Sequence, residues 1–257
     1  MTLIPIIISF IFIGIFFTGI IIAIRRAKQN RELLCSVSSP KRGTRSERRL
    51  VVKLLKLGIH PDTIFHDIYV QISQNRFSQI DIAIPTKVGI IVFEVKDYSG
   101  WIFGNGRDKY WTQILNYGKE KHRFYNPILQ NNGHIEALKR AFETNPNIPY
   151  FSVIVFDGNS IIKKTSNIPE NTFIIYPSHI ASTIEYILTN NPPAQYENKR
   201  DILTQLNQAK NNGDNEHIIN QHIFNAQMIK KPESIYKNNV KLFSFPKFRL
   251  PRRWRYH

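Results

Sequence analysis

The stretch Gln79-Ile80-Asp81-Ile82-Ala83-Ile84-Pro85-Thr86-Lys87-Val88-Gly89-Ile90-Ile91-Val92-Phe93-Glu94-Val95-Lys96 holds two β-rich runs joined by a short polar turn, the pattern of a hairpin. If Pro85 opposes Ile90, Asp81 faces Glu94 and Gln79 faces Lys96. Side chains alternate with period two, so these four share one face. A slip of two residues keeps them together, whereas an odd slip separates the pairs. The opposite face would carry Ile80, Ile82, Ile84, Ile91, Phe93 and Val95, enough to build a core. The polar face itself starts apolar at Ile90 and Val92 and turns polar only at Glu94 and Lys96, which places a site at one end of a packed sheet.

Two carboxylates held close together on a partly buried face repel, and a divalent cation relieves the repulsion. All-oxygen ligation suits Mg²⁺ or Mn²⁺ better than zinc. A Lys two residues from one carboxylate can orient a metal-bound water and offset charge developing on a phosphate. Asp81, Glu94 and Lys96 therefore form a minimal set for phosphodiester hydrolysis. The plainer alternative is a solvated strand face on which Asp81 pairs with Lys96; an isolated Glu-x-Lys would not outweigh it, but Asp81 in register does.

Working outward, Thr44-Arg45-Ser46-Glu47 has capping-box spacing, and Leu50, Val51, Leu54, Leu55 and Leu57 follow with helical period until Gly58. Thr63 to Ile72 reads as a strand, Trp101 to Phe103 as a short one, and Tyr150 to Phe156 and Thr172 to Tyr176 as buried strands. Asn126 and Pro127 are a cap and first-turn pair opening a helix to about Phe142. Further helices are expected near Ser178 to Leu188 and Lys199 to Ala209. The fold class is α/β (α+β), a mixed central sheet flanked by helices.

Several separate motifs together resemble a known family. Gln79-Ile80-Asp81, Gly89 through Phe93 into Glu94-Val95-Lys96, Gly100-Trp101-Ile102-Phe103-Gly104, Trp111, and Asn126-Pro127-Ile128-Leu129-Gln130 are similar to the nuclease-related domain, NERD. That family looks like a branch of the PD-(D/E)xK nuclease superfamily. The resemblance covers roughly Gly43 to Phe156. It implies a restriction-endonuclease-like core, catalytic Asp81, Glu94 and Lys96, and a contributing acid on the first helix. The family usually shows Gly-Glu there, and this chain has Ser46 and Glu47, so the acid is kept without the glycine. Glu47 lies on the face of Leu50, Val51 and Leu54; it can point to the sheet as a third metal-ligating acid, serve the capping box, or do both. Gln130 lies one turn into the Asn126 helix, and the resemblance places it beside the metal site. Asn126 reads as a cap, and His134 as a surface residue. The eight His show no metal-binding spacing, no Gly-x-Ser-x-Gly or phosphate loop occurs, and the single Cys35 excludes an internal disulfide framework.

Leu3 to Ile24 is 22 uncharged residues rich in Ile and Phe, about 33 Å long as a helix and so able to cross a bilayer. A cleaved signal peptide would need a basic start and a small-residue cleavage site. Arg25, Arg26, Lys28 and Arg31 follow at once, so the positive-inside rule puts the chain after Arg25 in the cytoplasm, anchored by a single pass. The net charge of +16 sits at the flanks: eleven Lys and Arg against two acids from Arg25 to Leu57, and nine against one from Ala226 to His257. Between them 15 basic residues meet 16 acidic ones, so the central domain is close to neutral. The basic flanks suit anionic lipid headgroups or nucleic acid, and the tail interleaves aromatic residues with Arg. The expected organisation is an anchor over 1–25, a basic juxtamembrane tether over 26–43, a nuclease-like domain over 44–190, and a helical then disordered basic region over 191–257. The expected function is a membrane-anchored, Mg²⁺- or Mn²⁺-dependent endonuclease acting on DNA. The rivals are an inactive nuclease-like module binding DNA or a protein partner at the membrane, and a membrane accessory protein with a purely structural polar face.

Overall fold

The computed structural model describes residues 3–115 and 118–230. Helix α1, Leu3–Cys35, opens the chain. Helix α2, Arg45–Lys56, is capped by Thr44, whose hydroxyl oxygen accepts the Glu47 amide, and it buries Leu50, Val51 and Leu54. Strands β1 (Phe65–Ser73), β2 (Arg76–Thr86) and β3 (Gly89–Asp97) follow, then β4 (Gly100–Asn105), β5 (Tyr110–Leu115) and β6 (Glu120–Tyr125). Helix α3, Pro127–Ala141, leads to β7 (Tyr150–Asp157), β8 (Ser160–Ser166) and β9 (Thr172–Ile175). Helices α4 (Ile180–Asn190), α5 (Lys199–Asn212) and α6 (Glu216–Lys230) end the described chain.

A five-stranded mixed sheet, in the order β1-β2-β3-β7-β9, forms the centre. Strands β1, β2 and β3 pair antiparallel, and β3, β7 and β9 pair parallel. Its middle strands are covered on both faces, which explains the near-continuous apolar run of β3. One face packs against α2 and α4 through Leu50, Val51, Leu54, Ile180, Ile184 and Ile187. The other packs against α3 and α5 through Ile135, Leu138, Phe142, Ile202 and Leu206. The result is a three-layer sandwich of helices, sheet and helices.

A second sheet, β6-β5-β4-β8, lies over the ends of β3 and β7. Trp111 stacks on Phe156 with centroids 6.2 Å apart, and Tyr98 meets Phe124 at 4.6 Å. Gly104 must lack a side chain, because a Cβ there would enter the Trp111 ring. Asn126 locks this sheet to α3: its Oδ1 accepts the Ile128 amide, while its Nδ2 donates to the carbonyls of Asn105, Gly106 and Asp108.

Two boundaries differ from expectation. Helix α1 continues ten residues past Arg25, and Leu34 and Val37 enter the core beside α2. The segment 26–43, expected to be a basic juxtamembrane tether, therefore joins the folded domain through much of its length. Arg42, also in that segment, is buried and reaches Asp67 and, at 3.1 Å, Asp214. Beyond Lys199, α5 covers the sheet, and α6 attaches to β2, where His222 Nδ1 lies 3.0 Å from the Phe77 carbonyl oxygen and Asn225 Nδ2 donates to Asn75 at 3.0 Å. The aromatic and Arg-rich tail from 231 lies outside the described residues. Helix α1 is long and apolar enough to cross a membrane, with mean hydropathy 2.3 in its most apolar window, and Phe10, Phe12 and Phe16 stand exposed on it.

Leu34 is only 6% exposed. Leu34→Ala is expected to lower stability by about 2–3 kcal/mol in urea unfolding of the detergent-solubilised chain. An unchanged midpoint would mean that α1 ends as a tether after all.

Candidate active site

The β2–β3 ladder has the expected register, Pro85 opposite Ile90 and Ile82 opposite Phe93, and it stops there. The next Asp, Asp81, uses its side chain in place of the ladder: its Oδ2 accepts the Val95 amide at 2.8 Å. On the other flank, β1 pairs with β2 at His66–Ile82 and Ile68–Ile80 but skips Asp67 and Asp81. Asp67 is left-handed, with φ 52°, a conformation that Asp tolerates better than most residues.

This interruption changes two expected placements. Ile80 packs with Ala83 and Val92 on the α3–α5 side, away from Ile82 and Ile84. The irregular backbone at Asp67 and Asp81 resets the alternation of side chains, as a bulge does. Gln79 likewise turns from Lys96 and donates to Asp67 Oδ1 at 2.8 Å. The expected group of four on one face is thus reduced to Asp81, Glu94 and Lys96.

Glu94 is the hub of what remains. It is 1% exposed, with Oε1 2.5 Å from Lys96 Nζ and Oε2 3.2 Å from His134 Nε2. Lys96 also donates to Gln130 Oε1 at 2.9 Å. His134 Nδ1 lies 2.7 Å from the Ser78 hydroxyl. Gln130 and His134 are four residues apart on α3 and so share a face. Asn131 fixes that helix to the sheet by donating to the Val92 carbonyl and to Ser152 Oγ, both at 2.9 Å. His134, read from sequence as a surface residue, is a nearly buried partner of Glu94; its i, i+4 relation to Gln130 was the available signal.

Electrostatically the three central groups differ. Removal from water, reinforced by the nearby charges of Glu94 and Glu47, raises the Asp81 pKa well above the usual Asp range. Burial would also raise Glu94, but His134 and Lys96 outweigh it and hold its pKa down. Burial would lower Lys96, yet Glu94 keeps its pKa raised, so Lys96 is a firm cation. The site therefore combines one settled ion pair with one carboxylate that is costly to ionise.

Glu47 stands at the edge of this group, and both sequence readings of it meet in one side chain. Its Oε1 accepts from the Thr44 hydroxyl at 2.7 Å, and its Oε2 lies 3.6 Å from His66 Nε2. Burial raises its pKa less than His66 and Thr44 lower it. His66 is held from its other side by Ser38 Oγ at 2.7 Å. Gly43 backs this pair, since a Cβ there would collide with Glu47 Oε2 and His66 Nε2.

The donor set suits a hard cation. Glu47 Oε2 and Glu94 Oε2 are buried oxygens that accept no well-formed hydrogen bond among the described residues, each facing a histidine Nε2 at 3.6 and 3.2 Å, and Asp81 is held near two other acids. Among the described residues no three His, Cys, Asp or Glu side chains converge as a complete cage. Mg²⁺ does not need one, because it takes one or two carboxylates and fills its sphere with water and phosphate oxygens.

The family model of the nuclease-related domain, NERD, matches residues 42–157, which include Asp81, Glu94, Lys96, Glu47, Gln130 and His134. An uncharacterized protein of Bacillus anthracis is 28% identical over 147 residues, covering 57% of this chain and 68% of that one. No solved structure gives a significant match. The sandwich of helices around a mixed sheet is consistent with a nuclease-like core.

Asp81→Asn keeps an acceptor for the Val95 amide and removes the half-buried charge. In EDTA it is expected to stabilise the fold by about 1 kcal/mol, or roughly 2–4 °C in melting temperature. Because the folded-state pKa of Asp81 is raised, its contribution to stability falls as pH rises from the unfolded value of about 3.9 toward the folded one. The advantage of Asn should accordingly be larger at neutral pH and shrink as the medium is acidified toward pH 4. A destabilised Asn variant at neutral pH would contradict this assignment.

Proposed function

We propose, from the match of residues 42–157 to the family model of the nuclease-related domain, that this protein is a membrane-anchored, divalent-metal-dependent nuclease that hydrolyses phosphodiester bonds of DNA. The observation that carries the reading is the placement of Glu94, Lys96, Gln130 and His134 in one linked chain beside Asp81, where the β2–β3 ladder opens. A Mg²⁺ or Mn²⁺ ion held by Asp81 and Glu94, with Glu47 in support, would supply charge neutralisation and an activated water. Lys96, braced by Glu94 and Gln130, has a remaining N–H to direct at a phosphate oxygen or the attacking water. Gln130 and His134 are positioning residues: the first aims the ammonium, and the second holds the far oxygen of Glu94.

The membrane part of the reading rests on α1 and on Arg25, Arg26, Lys28 and Arg31 after its apolar segment, which favour a cytoplasmic domain. A cleft between α1 and α2, lined by Arg31, Arg45, Lys53 and Lys56 with Leu34 and Val52, suits anionic headgroups at that surface. One observation favours the rival reading of a non-cleaving module: Lys96 and His134 already stand against the two oxygens of Glu94, at 2.5 and 3.2 Å.

Two measurements separate these. The full-length chain in detergent, incubated with plasmid DNA, is expected to nick it with Mg²⁺ or Mn²⁺ and not with EDTA. Asp81→Asn and Lys96→Met should each lower the rate by at least about 10²-fold with little loss of DNA affinity in EDTA; His134→Gln should have a smaller effect. Metal-independent binding with no cutting by any form would leave the tethering module. For orientation, the single thiol Cys35 is exposed. It should react with a membrane-impermeant maleimide only after cells are lysed; labelling of intact cells would reverse the topology.

A further inference from the structure

The second sheet presents a face that the catalytic chemistry does not use. Its inward side is fixed by Ile102, Trp111, Phe124 and Ile162, which pack on Ile154 and Phe156. Alternation then turns Trp101 and Phe103 of β4 outward. Register lines Trp101 up with Ile114 and Lys121, and Phe103 with Thr112 and Arg123. Tyr110 and Tyr125 form the next row, their rings 6.2 Å apart. On the other flank the β4–β8 register shifts between Ile102 and Phe103, leaving Lys163 unpaired, with its Nζ over one face of the Trp101 ring, 5.0 Å from the centre, where an incoming base would displace it toward the phosphate.

This face therefore combines aromatic rings, two along one strand at a spacing of roughly 6.6 Å, with cations at both edges. Tyr125 is 44% exposed and Lys121 and Arg123 are open to solvent. Glu120 is the one acid in these four strands, and its parity assigns it to the opposite side. Rings offer sequence-tolerant stacking to any base, and flanking cations follow a phosphate backbone. A duplex hides the faces of its bases, so only unpaired nucleotides can use such rings. Tyr125 directly precedes Asn126, the cap of the helix that carries Gln130 and His134, so the face and the candidate active site share one rigid support.

We propose that the outward face of the β6-β5-β4-β8 sheet binds single-stranded nucleic acid by stacking bases on Trp101, Phe103 and Tyr125 between Lys121, Arg123 and Lys163. The proposal rests on the nuclease reading and narrows its substrate class to unpaired strands or duplexes with unpaired segments.

The test uses full-length Asp81→Asn protein in detergent with EDTA, so that binding is read without cleavage. A fluorescein-labelled oligothymidylate of about 20 nucleotides should bind at least tenfold more tightly than a duplex of the same length at about 0.15 M salt. Trp101→Ala and Tyr125→Ala should each weaken oligothymidylate binding about tenfold, with melting temperatures unchanged. Trp101→Phe should retain the affinity but lose part of the tryptophan quenching that oligothymidylate produces. Equal binding of duplex and single strand, or wild-type affinity in both alanine variants, overturns the proposal. Retained oligothymidylate binding with lost association to phosphatidylserine-containing vesicles would make this a lipid-facing surface and also overturn it. If stacking is observed but the wild-type protein never cuts in Mg²⁺ or Mn²⁺, the nuclease reading fails and the binding face stands.

Discussion

The bond from the Val95 amide to the Asp81 carboxylate decides how this domain can carry a site at all. Inside a sheet, a strand that leaves its neighbour strands a buried amide, which costs free energy unless another acceptor is found. Asp81 provides that acceptor from the partner strand at the level where the ladder would have continued. Asp67 does the corresponding work on the β1 side, accepting from the Gly43 amide and Gln79 while its own backbone turns left-handed. The strands can then separate without an unpaired amide at Val95, and Lys96 gains room to reach across to α3.

That solution has an electrostatic cost. Asp81 is held out of water close to Glu94 and Glu47, so its ionised form opposes folding, whereas Glu94 is matched by Lys96 and His134. Local consistency between sequence and structure is relaxed at Asp67 and Asp81 and maintained in the flanking core, the pattern expected where a scaffold carries chemistry. His134 belongs to this balance. Without it, Glu94 Oε2 would lack its one ionisable neighbour on the α3 side.

Much of this was legible from sequence, and the misses have identifiable causes. The hairpin register followed from period-two alternation and a short turn, and the Thr44 and Asn126 caps from residue type and spacing. Ile80 and Gln79 were misplaced because alternation assumes regular backbone, and nothing in the string Gln79-Ile80-Asp81 announces a left-handed residue across the ladder. Strands β5, β6 and β8 escaped because each buries few side chains and exposes mixed polar ones: β6 reads Glu-Lys-His-Arg-Phe-Tyr, with Phe124 alone turned to the core. The join of α1 to the core rests on Leu34 and Val37, too few apolar residues to register beside five cations. The α6 helix is only weakly amphipathic and is held by His222 and Asn225 to backbone carbonyls, a signal that hydropathy does not carry.

The continuity of α1 with the core ties the apolar segment to the site by a short path. Ser38 lies three residues past the end of α1 and reaches His66, which in turn faces Glu47. The helix has no break between Ile24 and Cys35 at which the domain could swing. Whatever holds the apolar half of α1 therefore also sets the direction in which the sheet faces. The central residues from Gly58 to Asn225 are close to neutral, and Lys96 spends its charge largely on Glu94. If the protein takes a polyanion as proposed, long-range attraction for it must come from the cations outside the site, in the α1–α2 segment and along the edges of the second sheet. On the proposed reading, capture and chemistry would thus fall to separate parts of the chain, held in fixed relation by α3 on one side and by the α1–α2 junction on the other.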